Sequence, residues 1–474
     1  MGGGSSVDTG PPETTRDEET ALVRGLESGI SQAINTSVAA HPEWRQAAPM
    51  VSEVLQSIAK GMLATAEKTQ AIESANELAE LRRLTPEQEA AAAKAAQRIG
   101  EVAAAAEAAP EEERAAAKDR DVGELWAYFG GGAIESLIEH TSLIDLDYLV
   151  ALVEGGGVMP CGRQNVPPAA FITARNLWRL KPWGKLRHKM SLAVLVLSYP
   201  WLDWFHPDRL GAQLRRLLPF LKAMLAEAKE DSPHCTVGVM IDFLCLPQKP
   251  FATEEDGARF GVSLTAINGW YFHSHTITLL VTDPPPEGAV YSNTRLHRDR
   301  GWCFFEQAAS MVVKGSDCLL DFGAYKGATN FGTCRKQTKA GRLPPIAPDA
   351  FGERMRARVA SGALKFTSNA DMEFVIGQYE AGFIAAINRV AAEPGGGALN
   401  FEQLGWGDAE AAELLLALRY AAAKCAFPEG GINIVVMLGN SISKAARATL
   451  PPRRGGDFIG EHAVWEGKFN ARSL

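Results

Sequence analysis

The sequence predicts an α/β protein built on a doubly wound parallel sheet, with helical sequence before it and a short strand-and-helix segment after it. Continuous apolar runs of strand length recur at Leu192–Leu197, Val237–Asp242, Thr276–Thr282 and Cys318–Phe322. Such runs are typical of parallel strands buried on both faces. Helical patterns lie between them, as at Leu210–Lys229 and Arg300–Val313, and this alternation is the signature of a parallel sheet with crossover helices. The loops that follow the runs are dense in aromatic and polar residues, where sheets of this kind hold their ligands.

The 474 residues exceed one ordinary domain, and 46% apolar content is enough to build real cores. The net charge is −8 with both signs interspersed and no basic block, which argues against nucleic acid as a partner. Seven cysteines without a CxxC pair suggest a reducing, cytoplasmic setting and no disulfide framework. The N-terminus lacks the basic-then-apolar order of a signal peptide. The longest apolar stretch, Ser191–Leu202, falls short of the ~20 residues a spanning helix needs. Gly2 and Ser6 fit an N-myristoylation pattern, although a flexible Gly/Ser leader explains them equally. One acyl chain would give only a weak, peripheral membrane contact.

Residues 1–18 are polar and Gly-rich and read as a disordered leader. A helical region follows over 19–120, with stripes at Leu22–Val38 and Val51–Leu63. A third helix opens at Thr85-Pro86-Glu87-Gln88, with Pro at its first position. Residues 121–190 read as a helical connector, with Asp145-Leu146-Asp147 inside a helical pattern, a poor arrangement for a metal. The α/β domain spans 191–390, interrupted by a Pro/Arg/Lys-rich linker at 324–349 and closed by a helix over 371–390. In 395–474, Leu404-Gly405 with Ala411-Ala412 and Leu438-Gly439 with Ala445-Ala446 echo each other at an offset of 34, suggesting a strand-plus-helix repeat.

The Arg300–Val313 helix is apolar almost all round, and its polar exceptions Glu306, Gln307 and Ser310 share one stripe. A carboxylate on a buried helix is expensive unless it is paired or has a chemical task. Either Glu306 pairs with a nearby arginine or favours the helix N-terminal dipole, or it serves a reaction. Two other constellations are weaker. His273 and His275 supply only two ligands, so no metal site is expected. Cys303 has no local histidine and reads as a buried small hydrophobe.

Four segments in order, Val196–Tyr199, Val239–Asp242, Leu279–Thr282 and Trp302–Glu306, resemble the core motifs of Toll/interleukin-1 receptor (TIR)-like domains. Ile241–Gln248 and Gly301-Trp302-Cys303 are similar to the heterokaryon-incompatibility-like group of that superfamily. The resemblance covers about 191–390. It implies a flavodoxin-like fold, self-association through this domain, and, in enzymatic members, cleavage of the nicotinamide–ribose bond of NAD by a glutamate matching Glu306. NAD would be a substrate, and no cofactor is implied. Leu246–Gly261 would match the family's mobile loop, whereas the Pro-rich insertion at 283–299 departs from compact members. The C-terminal segment resembles a degenerate leucine-rich repeat.

On this reading Glu306 is the candidate catalytic carboxylate, stabilising an oxocarbenium-like transition state. Ser198, Tyr199, Trp201, Asp242, Arg300 and Trp302 are candidate substrate contacts, with Arg298 or Arg300 meeting the pyrophosphate. The competing reading is a non-catalytic adaptor that self-associates through the same domain while its N-terminal helices recruit protein partners.

Overall fold

The computed structural model describes residue 32 and residues 83–181, 191–248, 251, 253–339, 342–368, 371–393, 397–426, 432–437, 439–449 and 464–466. The leader, its myristoylation pattern and the two stripes before residue 64 lie outside the described residues. The chain divides into two units, 1–85 and 86–474. The second holds the sheet and the helices around it.

That unit opens with α1 (Pro86–Glu107), Pro86 at its first position. Three short helices follow, α2 (Glu111–Ala116), α3 (Arg120–Tyr128) and α4 (Gly131–His140). The segment expected to be a helical connector then contributes two strands, β1 (Leu143–Asp145) and β2 (Phe171–Ile172), on either side of α5 (Leu146–Glu154). Asp145 therefore ends a strand and caps α5, its side chain accepting from the Asp147 amide. Three-residue and two-residue strands carry no readable alternation, so local pattern favoured helix there.

From 191 onward β3 (Val194–Ser198), α6 (Ala212–Ala228) and β4 (Gly238–Met240) form as expected. Three helices the sequence did not signal follow, α7 (Asp242–Cys245), α8 (Glu254–Ala266) and α9 (Asn268–Tyr271), and α8 begins within the span read as a mobile loop, Leu246–Gly261. Then β5 (Ile277–Leu280), α10 (Gly301–Val313) and β6 (Leu319–Asp321) form as expected. The span read as a linker holds a helix, α11 (Phe331–Thr338), capped by Asn330. Two more helices come next, α12 (Pro348–Ala360) and α13 (Asp371–Ala391), with α13 packed against both α12 and α10.

Six strands form one sheet in the order β2-β1-β4-β3-β5-β6. The four from β4 to β6 are mutually parallel, while β1 runs antiparallel to both of its neighbours. The sheet is thus mixed and mostly parallel. Every residue of β3, β4 and β5 is buried, which explains the unbroken apolar runs. The buried pair Arg179–Asp145 pins β1, with Thr236 Oγ1 donating to the same carboxylate and Arg179 Nε donating to the His234 carbonyl at 2.8 Å.

The C-terminal segment is β7 (Gly397–Asn400), α14 (Asp408–Lys424), β8 (Ile432–Val436), α15 (Lys444–Thr449) and β9 (Val464–Glu466). Strands β7 and β8 are parallel and pair Leu399 with Val435. Asn440 ties the two turns together, accepting from the Leu404 and Trp406 amides at 3.0 and 3.1 Å and donating to the Phe401 carbonyl. Among the described residues no helix is long and apolar enough to cross a membrane.

Candidate functional site

The parallel strands change direction of winding at β3, whose first sequential parallel neighbour lies on one side and whose second lies on the other. In open α/β sheets ligands bind beyond the strand C-termini at this switch point. Ser198 ends β3 there and pairs with Leu280 at the end of β5. Helix α10 packs over the same point, and its polar stripe faces inward. Ser310 Oγ donates to Thr278 Oγ1 on β5 at 3.1 Å, and one turn earlier Glu306 meets Ser198. Residues four apart share a helix face, so the stripe seen in sequence is the face against the sheet.

Gly301 lets α10 start close to its neighbours. A Cβ there would lie 2.3 Å from the Phe366 ring, and the Gly301 amide donates to the Lys365 carbonyl at 2.8 Å. Phe304 stacks on Phe351 with centroids 5.4 Å apart, and Trp302 sits edge-on to Phe305. These contacts fix the helix and so fix the carboxylate.

Glu306 is 9% exposed. Ser198 Oγ donates to its Oε2 at 2.6 Å, and the Tyr271 hydroxyl, from α9, also hydrogen-bonds it. Among the described residues no lysine or arginine forms an ion pair with Glu306. Burial, reinforced by the nearby Asp242 carboxylate, raises its pKa to about 8 against the opposing pull of Ser198 and Tyr271. Asp242, beyond β4, is itself pushed up to about 6 by burial. The Phe243 amide and the Trp201 indole N–H, at 2.7 and 3.1 Å, hold it partly down. The site therefore sets a buried acid, Glu306, beside a half-buried one, Asp242, with no ion-pair partner for Glu306 among the described residues.

The alternative that Glu306 pairs with an arginine does not hold. Arg300 spends its guanidinium on backbone, donating to the carbonyls of Arg295 at 2.8 Å, Asn293 at 3.0 Å and Trp201. It staples the 283–299 insertion to the loop after β3 rather than presenting charge to a ligand. Tyr199 points away from Ser198, as strand alternation requires. Its hydroxyl donates to Asp208 at 3.0 Å, beside the Tyr291 hydroxyl on the same carboxylate. Trp302 donates its indole N–H to Asp371 at 3.0 Å. Of the residues singled out by sequence, Ser198, Trp201, Asp242 and Glu306 come together, while Tyr199, Arg300 and Trp302 brace the surroundings.

Two members were missed. Tyr271 reaches in from α9, its hydroxyl also lying 3.2 Å from the Leu197 carbonyl. His297, from the insertion, places Nε2 2.7 Å from Ser198 Oγ and is 2% exposed. Burial, with Arg300 adding to it, depresses the His297 pKa to about 3, so the ring is neutral. Among the described residues its Nδ1 has no hydrogen-bond partner. A serine-hydrolase triad would need an acid on that nitrogen, and Glu306 contacts the serine instead. Cys303 is buried beside Glu306, and burial pushes its thiol well above the usual range, the opposite of an activated nucleophile. His273 is buried with Nε2 3.0 Å from the Gly130 carbonyl, while Nδ1 accepts from the His275 amide.

Comparison with family models, with curated proteins and with solved structures finds no match to this chain.

Proposed function

We propose that residues 191–390 form a TIR-like domain of flavodoxin-like type that cleaves the nicotinamide–ribose bond of NAD, with Glu306 as the catalytic carboxylate. The observation that carries this reading is a buried acid at the switch point of a parallel sheet, bonded to Ser198 and without a counter-cation among the described residues. The order second-first-third-fourth along the parallel strands supports this reading, since it follows the first four places of the flavodoxin-like 2-1-3-4-5 order.

The nicotinamide ring of NAD is cationic, so it supplies the positive charge the site lacks. Docked beside Glu306, it lowers the carboxyl pKa and the acid ionises. As the C1′–N bond breaks, the electron pair leaves with nicotinamide, which departs neutral and needs no general acid. The positive charge moves to the ribose, where the Glu306 carboxylate stabilises it. Water adds to C1′ and loses a proton, giving ADP-ribose. Asp242 and Trp201 would flank the ribose side, and Arg298, exposed on the insertion and 3.9 Å from Asp299, would be a cation for the pyrophosphate.

The burial of Ser198 and Glu306 favours a second reading, a non-catalytic adaptor that self-associates through this domain. The C-terminal units fit a leucine-rich-repeat-like extension, with Leu399, Phe401, Leu404 and Trp406 in one copy matched by Val435, Met437, Asn440 and Ile442 in the next. Full-length protein, assembled at high concentration with NAD, separates the two. Nicotinamide release by wild type that is abolished in Glu306→Ala supports the enzyme. No release from assembled wild type sinks it and leaves the adaptor.

A further inference from the structure

We infer that His297 is a positioning residue, which the 283–299 insertion delivers to Ser198 so that the serine hydroxyl is held pointing at Glu306. This role rests on the catalytic reading of Glu306, but the hydrogen-bond geometry stands apart from the identity of the substrate.

The hydrogen-bond chain is short and enclosed. His297 Nε2, Ser198 Oγ and Glu306 Oε2 are linked at 2.7 and 2.6 Å, with Ser198 fully buried. The direction of the chain follows from His297 Nδ1, which has no hydrogen-bond partner among the described residues. A proton on Nδ1 would leave a buried N–H unsatisfied, which native interiors avoid more strictly than an unused acceptor lone pair. The proton therefore sits on Nε2 and is donated to Ser198 Oγ. With one lone pair engaged, the serine turns its own hydroxyl hydrogen toward Glu306. The carboxylate is the form that gains from such a donor.

The histidine is held in place by the rest of the insertion. Arg300 fastens the carbonyls of Asn293 and Arg295 to that of Trp201. Asp203 accepts from the Ser292 amide at 2.9 Å and from its hydroxyl at 3.1 Å, and Tyr291 is tied to Asp208. These bonds join the insertion to the loop after β3, the strand that carries Ser198. The departure from compact relatives of the resembled family thus places one end of the chain that reaches the acid.

The test reads the ionisation of the Glu306 carboxyl itself, by isotope-edited infrared spectroscopy of full-length protein with ¹³C-labelled glutamate. Glu306→Gln identifies the band. The groups facing this carboxyl are Ser198, Tyr271, Asp242 and Cys303, and all stay in place in the key variant. His297→Ala is expected to raise the ionisation midpoint by about half a unit to one unit, the scale of weakening one hydrogen bond to a charged group. His297→Gln, whose amide can donate to Ser198, is expected to restore most of the wild-type midpoint. Ser198→Ala should shift the midpoint at least as far, and His297→Ala should add nothing in that background. A His297→Ala midpoint equal to wild type, or shifts that add in the double variant, overturns the inference. Should His297→Ala fold poorly, the comparison of His297→Gln with His297→Leu decides it, only the first keeping the wild-type midpoint. Because the readout needs no turnover, absence of nicotinamide release would sink the NAD-cleaving reading and leave this result standing.

Discussion

Replacing Glu306 with glutamine should stabilise the protein, and by an amount that depends on pH. In the folded chain the Glu306 carboxyl ionises near pH 8, against 4.5 for an ordinary glutamate. Between those values the folded state holds a proton that the unfolded chain has released, so stability falls as pH rises through this window. At pH 7 the mismatch of roughly 2.5 units corresponds to about 3 kcal/mol, and above pH 8 the cost levels off near 5 kcal/mol. Glutamine is neutral in both states and carries no such term. Urea unfolding of wild type and Glu306→Gln, followed by far-ultraviolet circular dichroism from pH 4 to 9, measures the difference directly. The variant should match wild type near pH 4, apart from a constant offset for the altered hydrogen bonds, and gain progressively to pH 8. A difference that is flat across this range, or one that favours wild type increasingly as pH rises, would refute the claim that Glu306 is an uncompensated buried acid.

Three further perturbations probe the same bonding. If the carboxylate is the reactive form, kcat/KM for NAD should rise with pH through about 8 in the free protein, and a profile flat from pH 6 to 9 would exclude that role. Arg179→Met strips the cation from Asp145 in a fully buried setting and should cost about 3–5 kcal/mol in urea unfolding. A change below about 1 kcal/mol would mean that β1 is held by apolar packing alone. Arg342 donates to the Met311 carbonyl on α10 and the Asn400 carbonyl on β7 at 3.0 and 3.2 Å and lies 4.8 Å over Phe401. Arg342→Ala should therefore destabilise by about 2–4 kcal/mol, and hydrogen exchange should quicken both at the end of α10 and in β7. Faster exchange in β7 alone would show that the C-terminal segment is not coupled to the helix that bears Glu306.

What could be read from sequence, and what could not, divides along physical lines. The parallel strands were legible because burial on both faces leaves runs such as Leu192–Leu197 with no polar interruption. The α10 helix was legible for the same reason, and its stripe correctly marked Glu306 and Ser310 as the odd residues, although only packing reveals that they face the sheet. Strands β1 and β2 were not legible, because two or three residues cannot display a period. The partners of Glu306 come from Ser198 and, through it, His297, separated from the acid or the serine by about a hundred residues. No local spacing encodes that meeting. His297 stood in plain view within a basic loop, and its arginine neighbours suggested a phosphate site, yet Arg300 turned out to bind backbone carbonyls. Tyr199, Arg300 and Trp302 have the right residue types for ligand contacts but spend their polar atoms on structure. The echo at an offset of 34 places Gly405 and Gly439 in the same left-handed turn (φ 71° and 70°), while strands β7 and β8 pair Leu399 with Val435, 36 apart.

The most direct test concerns the charge that Glu306 lacks. Binding of NAD, or of a carbocyclic analogue that cannot be cleaved, should ionise Glu306 by placing the nicotinamide cation beside it. With a free pKa of about 8, about 0.9 of a proton should leave per site at pH 7. Titration calorimetry in two buffers of different ionisation enthalpy counts that proton. Close to one proton released by wild type, and none by Glu306→Gln, is the predicted result. Binding with no proton release, or with equal release in both proteins, would contradict the role assigned to Glu306.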